Sequence, residues 1–185
     1  RGICLVSTPI EFTKFGVNLQ GQGISLRNDG VSTDGSWIKL TAAATSLLHS
    51  GGLAHSRISD LGFDGAFFAS TAVVWLEVVT SKVNQVVFDN VVFERPVLTT
   101  GKIVQLGGAT NSEVDWVEFV RCTFYGDSTN AASRADTAIY STNGNTQQNS
   151  VRFSNIYGAR IGIQVFGGAQ MSAYYNIFGS ITDAA

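Results

Sequence analysis

The hydrophobic pattern of this chain repeats. Val86-Val87-Phe88-Asp89-Asn90-Val91-Val92-Phe93 reads apolar-x-apolar-x-Asn-apolar-x-Phe, and residues 117–124 repeat it with Arg121 in the Asn place. Residues 151–158 carry it up to the last position, residues 172–179 are a weaker copy, and residues 56–63 are an earlier one with Asp60 for Asn. The anchors Ile58, Phe88, Phe119, Phe153 and Tyr174 lie 30, 31, 34 and 21 residues apart. A loose period of a few tens of residues is the signature of a repeat architecture.

Inside each unit, alternating apolar and polar residues rich in Val, Ile and Phe predict strands. Each unit adds a second such segment: Val74-Trp75-Leu76, Val104-Gln105-Leu106, Ile139-Tyr140-Ser141 and Ile163-Gln164-Val165. Two or three short strands per unit, with no helical pattern between them, predict one coil of a parallel β-helix. A single coil cannot bury its apolar face, so stacking supplies the core, with neighbouring strands about 4.8 Å apart. The stack puts Asp60, Asn90, Arg121, Asn155 and Asn176 in one turn column, where a side-chain amide can bond the coils above and below. Leu61, Val91, Cys122, Ile156 and Ile177 follow as an inward column. An antiparallel sandwich is the rival, but it calls for turn signals every ~8–12 residues and leaves the columns unexplained.

Composition narrows the class. The chain of 185 residues reads as one domain spanning residues 1–185. Charged residues make up 14% and glycines number 20, which suits a Gly-turned all-β solenoid and not a disordered tail. A net charge of −2 without any Lys/Arg run gives nucleic acid no electrostatic purchase. No apolar run reaches transmembrane length, so membrane insertion is not expected. Cys4 and Cys122 are too far apart for a disulfide framework or a metal motif, and Cys122 reads as a buried small hydrophobe. His49 and His55 flank Gly51-Gly52 and read as turn or surface residues. Neither end shows the polar or structured cap that a solenoid needs, so a fragment lacking both end caps is expected.

The opening coils carry a family resemblance. Gly2-Ile3-Cys4-Leu5-Val6, then Pro9-Ile10-Glu11-Phe12, then Val17-Asn18-Leu19-Gln20-Gly21-Gln22-Gly23 resemble the first coils of the pectate-lyase-like right-handed β-helix superfamily. Residues 56–65 resemble its Ile-x-Asp-Leu-x-Phe-x-Gly coil, while its usual leading Gly-Ala-x-Gly-Asp-Gly segment is absent. The likeness spans residues 2–179 and specifies fold better than activity. It implies an all-β, right-handed parallel β-helix most like bacteriophage tailspikes. Such a protein is a homotrimer of the virion tail that meets other tail proteins and recognises bacterial surface polysaccharide, with or without depolymerising it. Two alternatives stand beside it: a secreted polysaccharide-degrading enzyme, either glycoside hydrolase or lyase, and a structural β-helix spacer of a virion.

Two sets of residues could carry chemistry. After Phe63, Phe93 and Phe124, the register places Asp64, Glu94 and Tyr125 outward, with Asp127 two residues further. Two carboxylates on adjacent coils could serve glycoside hydrolysis, one as acid and one as base or nucleophile, because crowding raises one of them. Asp64, Glu94 and Asp127 are therefore the candidate catalytic residues, although such positions more commonly hold solvated turn carboxylates. Trp75, Gln105, Tyr140 and Gln164 form a second outward column. Rings alternating with amides suit an oligosaccharide track or, equally, a subunit interface. A third outward column, Asn18, Arg57, Val87, Glu118 and Arg152, predicts an ion pair between Glu118 and Arg152. Arg57, Arg95 and Arg121 could act in a lyase, but no acidic set offers enough oxygens for calcium. No cofactor and no metal site are expected, and no Ser-His-Asp triad or phosphate-binding Gly loop is present. The polar excursions at residues 127–136 and 143–149 are expected to frame one face.

Overall fold

The computed structural model describes residues 2–24, 34–79, 81–108, 113–127, 134–142 and 145–181. Most of the excursion at 127–136, and the start of that at 143–149, lie outside the described residues.

The alternating segments form strands, and every pairing among them is parallel. The first sheet takes β1 (Gly2–Val6), β4 (Ser36–Leu40), β7 (Gly62–Asp64), β10 (Val92–Glu94), β13 (Thr123–Tyr125), β16 (Asn155–Tyr157) and β19 (Ile177–Gly179). A second sheet takes β2 (Ile10–Phe12), β5 (Ala44–Ser50), β8 (Ala69–Leu76), β11 (Lys102–Leu106), β14 (Ala135–Ser141) and β17 (Ala159–Val165). The third takes β3 (Asn18–Gln20), β6 (Ala54–Ser59), β9 (Val83–Asp89), β12 (Val114–Val120), β15 (Asn149–Arg152) and β18 (Met171–Tyr174). Each strand pairs with the one three places later, so three strands make one coil and the coils stack as in a parallel β-helix. No helix occurs among the described residues.

The core is a column of rings. Phe63, Phe93 and Phe124 share one row of the first sheet, and Phe93 stacks on its neighbours at 5.9 and 5.2 Å. Phe88 stacks on Phe119 at 5.1 Å in the third sheet, and both meet Phe93 edge-on. All five are fully buried. Stacking like on like is what parallel in-register strands impose, and offset or edge-on rings are the arrangements that aromatic quadrupoles favour.

The register corrects the later members of four columns read from the sequence. Ile58, Phe88 and Phe119 do align, but the next members are Val151 and Ala173, not Phe153 and Tyr174. The left-handed turn column is Asp60, Asn90, Arg121, Phe153 and Tyr175, with φ between 52° and 58°. Phe153 and Tyr175 thus stack outside at 5.3 Å, and Asn155 instead pairs with Thr123 inside the first sheet. Cys122 therefore precedes Ser154 and Asn176, and Ile156 sits in the Phe124 row instead. The Ser and Asn have work there. Ser154 Oγ accepts the Cys122 N–H at 3.0 Å, and Asn176 Oδ1 accepts the Ser154 N–H at 3.0 Å. A left-handed residue turns the following amide out of the ladder, and a side chain of the next coil satisfies it.

Arg152 also leaves its expected column, where Ser150 stands opposite Glu118. The ion pair forms nonetheless, diagonally, with Arg152 Nη2 2.8 Å from Glu118 Oε2.

Candidate functional site

The outer face of the second sheet gathers one continuous row. Glu11, His49, Trp75, Gln105, Tyr140 and Gln164 are register partners from β2 through β17. The four residues expected to form a column do so, and Glu11 and His49 extend it. The β2, β5, β8, β11, β14 and β17 backbones fix the spacing at about 4.8 Å per coil.

A glycine turn orients the middle of this row. Gly107, at φ +90°, presents its carbonyl to Trp75 Nε1 at 3.0 Å and to Gln105 Nε2 at 3.2 Å. That backbone conformation is one L side chains rarely adopt, so glycine is required here. A Cβ at the neighbouring Gly108 would collide with the Glu77 carboxylate. Glu77 Oε1 in turn meets His49 Nε2 at 2.8 Å, and His49 Nδ1 meets Glu11 Oε2 at 2.7 Å. The imidazole lies 5.1 Å from the Trp75 ring. Further along, Lys102 Nζ sits 5.1 Å over the Tyr140 ring, and Tyr140 lies 5.8 Å from Phe166. Trp75, Tyr140 and Gln164 are partly exposed, while Gln105 is buried. The face thus offers held rings, amides and charged groups along a straight line.

The carboxylate pair is placed together but sealed in. Asp64 and Glu94 are register partners on β7 and β10, as their spacing predicted. They are not outward solvated groups: Asp64 is 3% and Glu94 1% exposed. Asp64 accepts Arg95 Nε at 3.0 Å and the Ala66 N–H at 2.8 Å, and also pairs with Arg95 Nη2 and with Lys39 Nζ. Glu94 has only a 3.3 Å contact from Oε1 to Arg95 Nε, and its buried Oε2 has no partner among the described residues. Burial, and secondarily the Asp64 charge, pushes the Glu94 carboxyl up to about 8. An acid so raised has the proton that general acid catalysis needs. In this structure the side chain is enclosed and not open to solvent. Asp127, two residues beyond Tyr125, stays nearer the surface, with its backbone N–H donating to Gly158 O at 3.0 Å.

The arginines considered for lyase chemistry are each tied to a carboxylate. Arg57 and Arg121 both clamp Asp89, and Arg95 clamps Asp64. Beside them Asn90 Nδ2 donates to Asp60 Oδ1 at 2.8 Å and, with burial opposing, holds that carboxyl below its ordinary value. A polar depression of about 400 Å³ opens there, lined by Asn18, Leu19, Gln20, Arg57, Ser59 and Asp60. These pairs brace successive coils.

Among the described residues no group of three or more His, Cys, Asp or Glu side chains is arranged to hold a metal ion, and no helix is long and apolar enough to cross a membrane. In comparisons with known proteins, no family model, no curated protein and no solved structure matches this sequence.

Reading the sequence alone missed Glu11, His49 and Glu77 as one group. Gly51-Gly52 made His49 look like a turn residue, yet it sits inside β5, one residue before the strand ends at Ser50. The available signal was register: Glu11 and His49 precede Phe12 and Ser50, which occupy the Leu76 and Leu106 row.

Proposed function

We propose that this chain is the β-helix of a right-handed, pectate-lyase-like receptor-binding protein of the bacteriophage tailspike kind. In this reading the outer face of the second sheet is its track for bacterial surface polysaccharide. The observation that carries it is the row Glu11, His49, Trp75, Gln105, Tyr140, Gln164, in which Trp75 and Gln105 are oriented by the Gly107 carbonyl. One coil step of about 4.8 Å is close to the length of a pyranose unit, so an extended glycan lying across the strands keeps step with the coils and meets Trp75, Tyr140 and Gln164 at the surface, with Gln105 buried between them. Rings take the sugar C–H faces and amides take the hydroxyls. Residues oriented before the ligand arrives lose little freedom on binding. The sealed Asp64–Glu94 pair favours recognition over cleavage at that place.

An array of bacterial capsular and O-antigen polysaccharides tests the reading. The parent protein should retain at least one of them, and Trp75→Ala should weaken retention by about tenfold or more. A parent protein that retains none would make the β-helix a structural spacer.

A further inference from the structure

His49 stands where three coils meet. Its ring takes Glu11 from the first coil through Nδ1 at 2.7 Å and Glu77 from the third through Nε2 at 2.8 Å. These are the charged groups that meet the ring, from β2 on one side and from beyond β8 on the other; Trp75 adds an uncharged face at 5.1 Å. A carboxylate only accepts hydrogen bonds, so both contacts hold together when both ring nitrogens carry a proton. The neutral ring has one N–H. Its second nitrogen then points a lone pair at a carboxylate, and that contact is lost.

The two ends are unequal. The Glu77 side chain is 17% exposed and confined beside Gly108, whereas the Glu11 side chain is 52% exposed and free to turn into water. Glu11 is therefore the end that releases. The first coil is otherwise held by the β1–β4, β2–β5 and β3–β6 ladders and by Val6, Phe12, Val17 and Leu19 packed against the core.

We propose that Glu11–His49–Glu77 is a proton-operated clamp that fastens the first coil to the stack and loosens as the imidazole loses its proton. It does not depend on the face binding a glycan.

Amide hydrogen exchange on the parent protein, corrected for intrinsic rates, reads the clamp directly. Protection of the β2 amides should fall about tenfold between about pH 5 and about pH 8, while that of β14 stays level. Two other ionisable side chains lie nearby. His55 lies on β6 against the first coil, and Glu94 lies two coils on from His49 in another sheet, so the same fall should persist in His55→Gln and Glu94→Gln. Glu11→Gln should abolish the fall and keep β2 protected at both pH values, because an amide can accept from the charged ring or donate to the neutral one. His49→Gln should hold β2 at the parent's lower protection at both. A pH-dependent fall of equal size in His49→Gln, or none in the parent protein, would overturn the proposal.

Discussion

At Glu94 the cost of burying a charge decides the protonation state. The folded chain keeps a proton up to about pH 8 that the unfolded chain releases near its ordinary value of 4.5. Between those values the native state binds more protons, so stability falls as pH rises from about 4.5 to about 8 and is level above. Glu94→Gln keeps the shape without the ionisation. Urea midpoints should be close to the parent's at low pH and higher than the parent's above pH 8, with a flatter slope between; an unchanged slope would assign the effect to another group. The same residue shows how far single positions can be read in advance. Its pairing with Asp64 followed from spacing, but its enclosure depends on Lys39 and Arg95 closing around Asp64, which no spacing announces. Cys122 was simpler: a small apolar side chain in an inward column is buried, and burial pushes its thiol up to about 12, leaving it inert.

At the scale of the element, each strand is too short to be stable by itself and relies on the strand above and below. The five stacked and edge-on phenylalanines bind β7, β9, β10, β12 and β13 into one core block. Phe93 touches the other four, so Phe93→Ala should cost about 3–5 kcal/mol in urea unfolding, the range for removing a buried ring. A loss of less than about 1 kcal/mol would mean the block relaxes to fill the space. The register of later elements was harder to read. Placing Phe153 where Val151 belongs slips the strand by two residues, which keeps the alternation intact and so gives no warning in the sequence, although Phe153 itself lies past the strand at the left-handed turn. Hydrophobicity favoured the larger ring; packing chose the valine.

For the whole molecule, stacking turns a one-dimensional repeat into straight rows of side chains, and the row on the second sheet is the part we propose to meet a glycan. In the proposed reading the spike would be a closed homotrimer, in which exposed aromatics such as Trp116, Phe153 and Tyr175 would find a place to pack. Light scattering on the intact parent protein should therefore return the mass of a trimer. A monomer would instead favour a secreted polysaccharide-acting enzyme, and would move the search for reactive groups to Asp127 and the Glu11–His49–Glu77 group.

The sequence by itself determined that the chain is all-β, that its strands recur every coil, and that Trp75, Gln105, Tyr140 and Gln164 share a row. All three are consequences of period, and period is local. Only the tertiary structure decided which coil neighbours meet: that Val151 and not Phe153 enters the core, that Asp64 and Glu94 are sealed inside, and that Glu11, His49 and Glu77 converge. Those outcomes depend on contacts between residues some thirty apart, where volume, charge pairing and burial compete and alternation is silent.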